Sequence, residues 1–140
     1  MSERNEGSQD AARSVGDVIS ALKSLSGDIE SCAVVGPDGE VVYSDQADGV
    51  ERQRSRAMLS ALVGLAARAA RSAGKEHVEQ VRVKTGEGNL LLVRLPDGGT
   101  LAATTGPEAR VGLALYDMRN VRPELSRALG AGNGTGGDAV

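Results

Sequence analysis

The chain reads as an α/β (α+β) domain. We expect a five-stranded antiparallel sheet with elements in the order α-β-β-α-β-β-β-α. The long central helix should lie on one face and the terminal helices on the other. Three observations predict this. Short apolar runs are separated by turn sequences, Gly36-Pro37-Asp38-Gly39, Gly86-Glu87-Gly88 and Pro96-Asp97-Gly98-Gly99, which is how hairpins are written. Val50–Gly74, VERQRSRAMLSALVGLAARAARSAG, is rich in helix formers and has a 3.6-residue apolar period. Leu90–Val93 is apolar at every position, as in a strand covered on both faces.

Taken in order, residues 1–10 are polar and expected to lack fixed structure, and the domain begins at Ala11. Ala11–Leu25 places Val15, Val18, Ile19 and Leu22 on one helical stripe, and Ser26-Gly27-Asp28 stops it. Ile29–Val35 is an apolar strand, and Glu40–Ser44 alternates as its returning partner. After the acidic loop Asp45–Gly49, the long helix should turn Met58, Leu62, Leu65, Ala66 and Ala69 towards the core. Its other side carries Ala57, Ser60, Ala61, Gly64, Ala67, Arg68 and Arg71. A helix packed only on its own core should be polar there. This side is small and basic instead, which suits close approach of another backbone and recognition of carboxylate or phosphate.

Three strands follow in a meander. In His77–Thr85, Val81 and Val83 alternate with Gln80, Arg82 and Lys84, so one side is wet. Asn89–Leu95 and Thr100–Thr105 complete the sheet. A last helix from Glu108 to Leu129 has the apolar stripe Val111, Leu115, Met118, Val121, Leu125 and Leu129. Pro123 inside it is positioned to kink or divide it. The domain should end at Leu129, and Gly130–Val140 is a Gly-rich tail expected to be without structure.

Composition narrows the function. The core has no Phe, no Trp and only two Tyr to draw on, so Val, Leu and Ala must fill it. Dimerisation would add the burial that such a core lacks. The net charge is −3, yet Val50–Lys75 carries Arg52, Arg54, Arg56, Arg68, Arg71 and Lys75 against Glu51 alone. One basic surface on an otherwise acidic chain fits an acidic protein partner and argues against general nucleic-acid binding. The N-terminus has no apolar signal core, and no apolar run reaches the ~18 residues of a membrane span. Cytoplasmic location without membrane insertion is the expectation.

Catalytic and cofactor chemistry lacks its parts. Cys32 is the single cysteine and His77 the single histidine, so neither a disulfide nor a histidine-pair metal site can form within the chain. Cys32 should be a small buried hydrophobe. No serine sits in G-x-S-x-G. GLAARAARSAGKE fails as a P-loop, with Ala69 and Glu76 where Gly and Ser or Thr are required. The carboxylate pairs Asp38/Glu40, Asp45/Asp48 and Glu76/Glu79 fall in turns or element ends. We therefore expect no enzyme and no cofactor.

The stretches SLSGDIESCAVVGPDGEVVYSD (Ser24–Asp45) and VRVKTGEGNLLLVRLPDGGTLAATTGPEARVGLALYDMR (Val81–Arg119), in this order and spacing, resemble the roadblock / dynein light-chain family. The resemblance implies a profilin-like binding module that forms dimers. The strand His77–Thr85 would join its counterpart into one sheet, with the long helices close to the twofold axis. It also implies, for a bacterial member, a small Ras-like GTPase as partner within a signalling or polarity system. On this basis Ala57, Ser60, Ala61, Gly64, Ala67, Arg68, Gln80, Arg82 and Lys84 are the expected dimer interface. Arg52, Arg54, Arg56 and Arg71 are the expected partner-binding residues. The alternative is a small-molecule sensor or a scaffold unrelated to GTPases. A sensor needs a pocket between sheet and helix, for which Thr104, Thr105 and Tyr116 are the few polar candidates. Tyr116 is expected with its ring on the core and its hydroxyl at the edge.

Overall fold

The computed structural model describes residues 15–47 and 49–139, with side chains as far as residue 130. The expected disorder of residues 1–10 lies outside the described residues, as does Asp48. Helix α1 (15–25) is followed by β1 (Ile29–Val35), β2 (Val41–Ser44), α2 (Val50–Ser72), β3 (Gln80–Thr85), β4 (Gly88–Arg94), β5 (Thr100–Thr105), α3 (Val111–Asn120) and α4 (Arg122–Ala139). The five strands form one antiparallel sheet in the order β2-β1-β5-β4-β3. Each hairpin pairs neighbours, and β1 crosses to β5 to close the centre.

The turns carry the local chemistry their residues prescribe. Between β1 and β2 the Gly36 N–H donates to the Glu40 carbonyl (2.7 Å), and the Asp38 carboxylate accepts from the Glu40 N–H (3.1 Å). The β4–β5 turn repeats the device: the Asp97 carboxylate accepts from the Gly99 N–H at 2.8 Å. Gly88 begins β4 at φ 147°, and a Cβ there would collide with the carbonyl oxygen of Thr105. Only glycine fits.

The core lies between the sheet and α1, α3 and α4. Val18, Ile19 and Leu22 of α1, Ile29, Cys32 and Val34 of β1, Leu91 and Val93 of β4, Leu101 and Ala103 of β5, Val111, Ala114, Leu115 and Met118 of α3, and Leu125 of α4 form one buried cluster. The predicted stripes of the terminal helices therefore face inward. Asp28 ties the start of β1 to α3: its carboxylate accepts from the Arg110 backbone N–H (3.0 Å) and from its Nε (3.2 Å). These bonds, the backbone one first, hold the Asp28 carboxyl below the usual carboxylate range. Across the sheet Asp45 accepts from the Lys23 ammonium at 2.7 Å and from the Cys32 N–H at 3.1 Å, joining α1 to β1 and β2. The Lys23 pKa is raised, chiefly by that bond. Cys32 is buried, and burial pushes its thiol up to about 12.

The break expected at Pro123 occurs, and two details beyond it differ from expectation. The last helix is divided: α3 ends at Asn120 and α4 begins at Arg122, with Pro123 in its first turn, where a missing N–H costs nothing. The helical backbone of α4 continues to Ala139, through the glycines expected to form a tail. Tyr116 is 57% exposed on α3, with Leu113 beside it at 52%; the ring does not rest on the core. The inward row of α3 is Val111-Ala114-Leu115-Met118, and Tyr116 falls outside it.

Candidate functional site: the face carrying helix α2

Helix α2 covers the opposite face of the sheet, and none of its residues is buried. It enters from Gly49 (φ 146°). It ends in a Schellman motif, in which the Lys75 N–H reaches the Ala70 carbonyl (2.9 Å) and the Gly74 N–H reaches that of Arg71 (3.0 Å). Gly74 supplies the left-handed conformation (φ 78°) this geometry needs. The ends are thus well defined while the body stands off the sheet.

The row turned inward is Leu59, Val63, Ala66 and Ala70, all half-buried, flanked by Leu62 and Ala67. This corrects the expected core face. Leu62 and Ala66 are half-buried, but Met58 is 66% exposed, Leu65 57% exposed, and Ala69 is exposed. The helix is apolar around most of its circumference, so two adjacent stripes satisfy the same periodicity, and only contact with the sheet chooses between them.

Two cavities lie between α2 and the sheet. The larger, about 490 Å³, sits under the N-terminal half. Met58, Leu59 and Leu62 form its roof, Ala33, Ala102 and Thr104 its floor, and Val83 stands at its β3 side. Small residues make the floor shallow; the Ser31 and Thr104 hydroxyls are hydrogen-bonded to each other across it. The second, about 200 Å³, lies under the C-terminal half among Val63, Ala67, Arg71, Val81 and Leu92. Arg56, half-buried, donates from its guanidinium to the carbonyl of Val41, bracing α2 against β2.

Strand β3 is an outer edge of the sheet and is mostly exposed. Register assigns its faces, because residues directly opposite on paired strands share one. Val81 is opposite Leu92 and Val83 opposite Leu90, on the α2 side. Gln80, Arg82 and Lys84 are opposite Val93, Leu91 and Asn89, on the side of the terminal helices. The Arg119 guanidinium reaches Gln80 there at 3.1 Å.

The expected interface residues are accordingly not all brought together. Ala57, Ala61 and Arg68 are exposed on the outer side of α2, with Ser60, Gly64 and Ala67 half-buried around it. Gln80, Arg82 and Lys84 lie on the other face of the sheet. Met58 and Leu65, expected in the core, are with Val83 large apolar side chains left exposed, a role that sequence reasoning did not give them. The alternation that set Val81 and Val83 apart was the available signal. Among the expected partner-binding arginines, Arg54 makes an exposed ion pair with Glu51 at 3.4 Å, Arg56 is engaged with β2, Arg52 is half-buried near the start of α2, and Arg71 is exposed near its end. Among the polar pocket candidates, Thr104 lines the larger cavity. Thr105 faces the core, where its hydroxyl accepts from Asn89 at 3.1 Å, and Tyr116 is on the far face. No group of three His, Cys, Asp or Glu side chains able to hold a metal occurs among the described residues. No described helix is long and apolar enough to cross a membrane.

A five-stranded sheet with a loosely held central helix on one face and the terminal helices on the other is a profilin-like fold. The sequence matches the Roadblock/LC7 domain family over residues 14–105, and the chain belongs to that family. Its structure is similar to a Roadblock/LC7 domain from Streptomyces avermitilis, with 26% identity and a TM-score of 0.63 over 76% of this chain and 93% of that one. It is similar also to MglB of Myxococcus xanthus, with 13% identity and a TM-score of 0.72 over 84% and 95%. The profilin of the LokiProfilin2–rabbit actin complex aligns at 18% identity with a TM-score of 0.55, over 81% and 93%. The last two likenesses are of fold. No curated protein matches the sequence.

Proposed function

We propose that this protein is a non-catalytic, dimeric binding module that partners a small Ras-like GTPase from the cytoplasm. The observation that carries the dimer is the unfinished packing of α2. A helix of this length with no buried residue, two cavities beneath it and Met58, Leu65 and Val83 exposed beside an open sheet edge lacks the burial that normally holds an amphipathic helix. A second copy supplies it. Twofold pairing of β3 edges brings the Val81–Val83 side and the exposed side of α2 to the same axis. The small residues Ala57, Ala61 and Gly64 let the two helices come close. Arg54 and Arg71, with Arg52 and Arg68, form the basic rim offered to an acidic surface of the partner. Family membership and the basic rim support the GTPase reading.

The test pairs two measurements. Arg54→Glu is expected to weaken capture of the Ras-like GTPase encoded nearest to this chain while light scattering still reports a dimer. Unchanged capture removes this rim from the partner surface.

The larger cavity favours a second reading, a small-molecule sensor. At about 490 Å³, with Thr104, Ser44 and Asp45 among its lining residues, it lies within the size range of ligand sites. A thermal-shift screen against metabolites separates the two readings: a reproducible large shift that survives dimer-breaking substitutions favours the sensor.

A further inference from the structure

The larger cavity beneath α2 is a trough with two unlike ends. Strand register sets its floor in two adjacent rows, Ser44–Ala33–Ala102 and Ser31–Thr104–Leu90–Val83. Every strand contributes, so in the order β2-β1-β5-β4-β3 the trough runs across the sheet. Four strand spacings span about 19 Å. At the β3 end the floor is Val83 and Leu90. At the β2 end the lining is Ser44, Asp45, Gln46 and Arg56. Between them the floor is nearly apolar, because Ala33 and Ala102 present methyl groups and the Ser31 and Thr104 hydroxyls bond each other. Met58, Leu59 and Leu62 form a roof of long side chains that can shift to fit a flexible ligand.

The two charges at the β2 end differ in their partners. The Asp45 carboxylate is engaged by the Lys23 ammonium and the Cys32 N–H. The half-buried Arg56 donates from Nη2 to the carbonyl of Val41, another lining residue, which fixes its guanidinium at this end. Among the described residues Arg56 makes no ion pair. A cation with most of its N–H donors unused thus stands beside an apolar trough. We propose that the trough binds a fatty-acid-like monocarboxylate, its alkyl chain lying across the sheet towards Val83 and its carboxylate on Arg56. A neutral apolar ligand would leave Arg56 uncompensated, and a compact polar one would leave the Val83 end unfilled. The inference rests on the reading of this cavity as a ligand site and names the ligand class. It is compatible with the proposed dimer, because β2 and β3 are opposite edges of the sheet and pairing of β3 leaves the β2 edge free.

The experiment is titration of the full-length protein with decanoate and, separately, with decanol, each kept below the concentration at which it aggregates. The readouts are methyl NMR signals and the unfolding temperature. Decanoate is expected to move the signals of Ala33, Leu62 and Ala102, to leave that of Leu113 on the far face in place, and to raise the unfolding temperature. Arg56→Gln should weaken decanoate about tenfold and leave decanol within about threefold, while Arg56→Lys should keep most of the decanoate affinity. Ala102→Leu, which fills the floor, should weaken both ligands, with urea unfolding as the check that the variant folds. If neither ligand moves the trough signals, the proposal and the ligand-site reading of the cavity both fail. If both bind there and Arg56→Gln affects them alike, the carboxylate assignment is overturned and the cavity remains a ligand site.

Discussion

The double substitution Met58→Gln/Leu65→Gln tests the central claim, that α2 completes its packing against a second copy. Full burial of a Met or Leu side chain contributes about 2 kcal/mol. Met58 is 66% and Leu65 57% exposed, so somewhat over half of that remains to be gained. That is about 1.2 kcal/mol per side chain, and four such side chains in a symmetric dimer contribute about 5 kcal/mol. Both residues lie on a helix where Gln is as good a helix former as Met or Leu, so the monomer should change little. Losing the term should raise the dimer dissociation constant roughly a thousandfold or more. Sedimentation equilibrium from nanomolar to high micromolar concentration reads this directly, with urea unfolding as the check on the monomer. A dissociation constant within threefold of wild type would refute the reasoning and leave this side of α2 to another partner.

Further expectations rest on single contacts. Gly64→Leu should also weaken the dimer without unfolding the monomer, because a Cβ there meets only the Arg68 Nη1 at 3.7 Å; an unaltered sedimentation profile would place the twofold axis elsewhere on the helix. Gly88→Ala should destabilise the fold by about 1–3 kcal/mol through backbone strain and the forced movement of Thr105, read as a lower urea midpoint. Because the Asp28 pKa is lowered in the fold, its contribution is present above the unfolded value of roughly 3.9 and is lost as pH falls through the lower folded value. Wild type should therefore exceed Asp28→Asn in stability at pH 6, and the gap should close towards pH 2. Cys32, buried with its pKa raised to about 12, should react with a maleimide at pH 8 far more slowly in the native protein than in urea; equal rates would mean that β1 opens freely.

Much of this was legible without coordinates. Strands and hairpins announced themselves because Pro-Asp-Gly and Gly-Glu-Gly turns are local chemistry, settled within four residues. The terminal helices had one apolar stripe each, so their inward faces followed from period alone, and Val18, Leu22, Leu115 and Leu125 are buried as expected. Pro123 marked the break between α3 and α4 for an equally local reason.

The candidate site was less legible. Helix α2 offers apolar rows at Met58–Leu62–Leu65 and at Leu59–Val63–Ala66, and nothing within the helix ranks them. The sheet does, by drawing one row inward and leaving Met58 and Leu65 of the other exposed. The two faces of β3 were told apart by alternation, but which face meets α2 required the register with β4. Local sequence determined the elements, since backbone conformation answers to near neighbours. Tertiary structure decided which surfaces remain uncovered, because burial is a property of what packs opposite, and distant segments supply that.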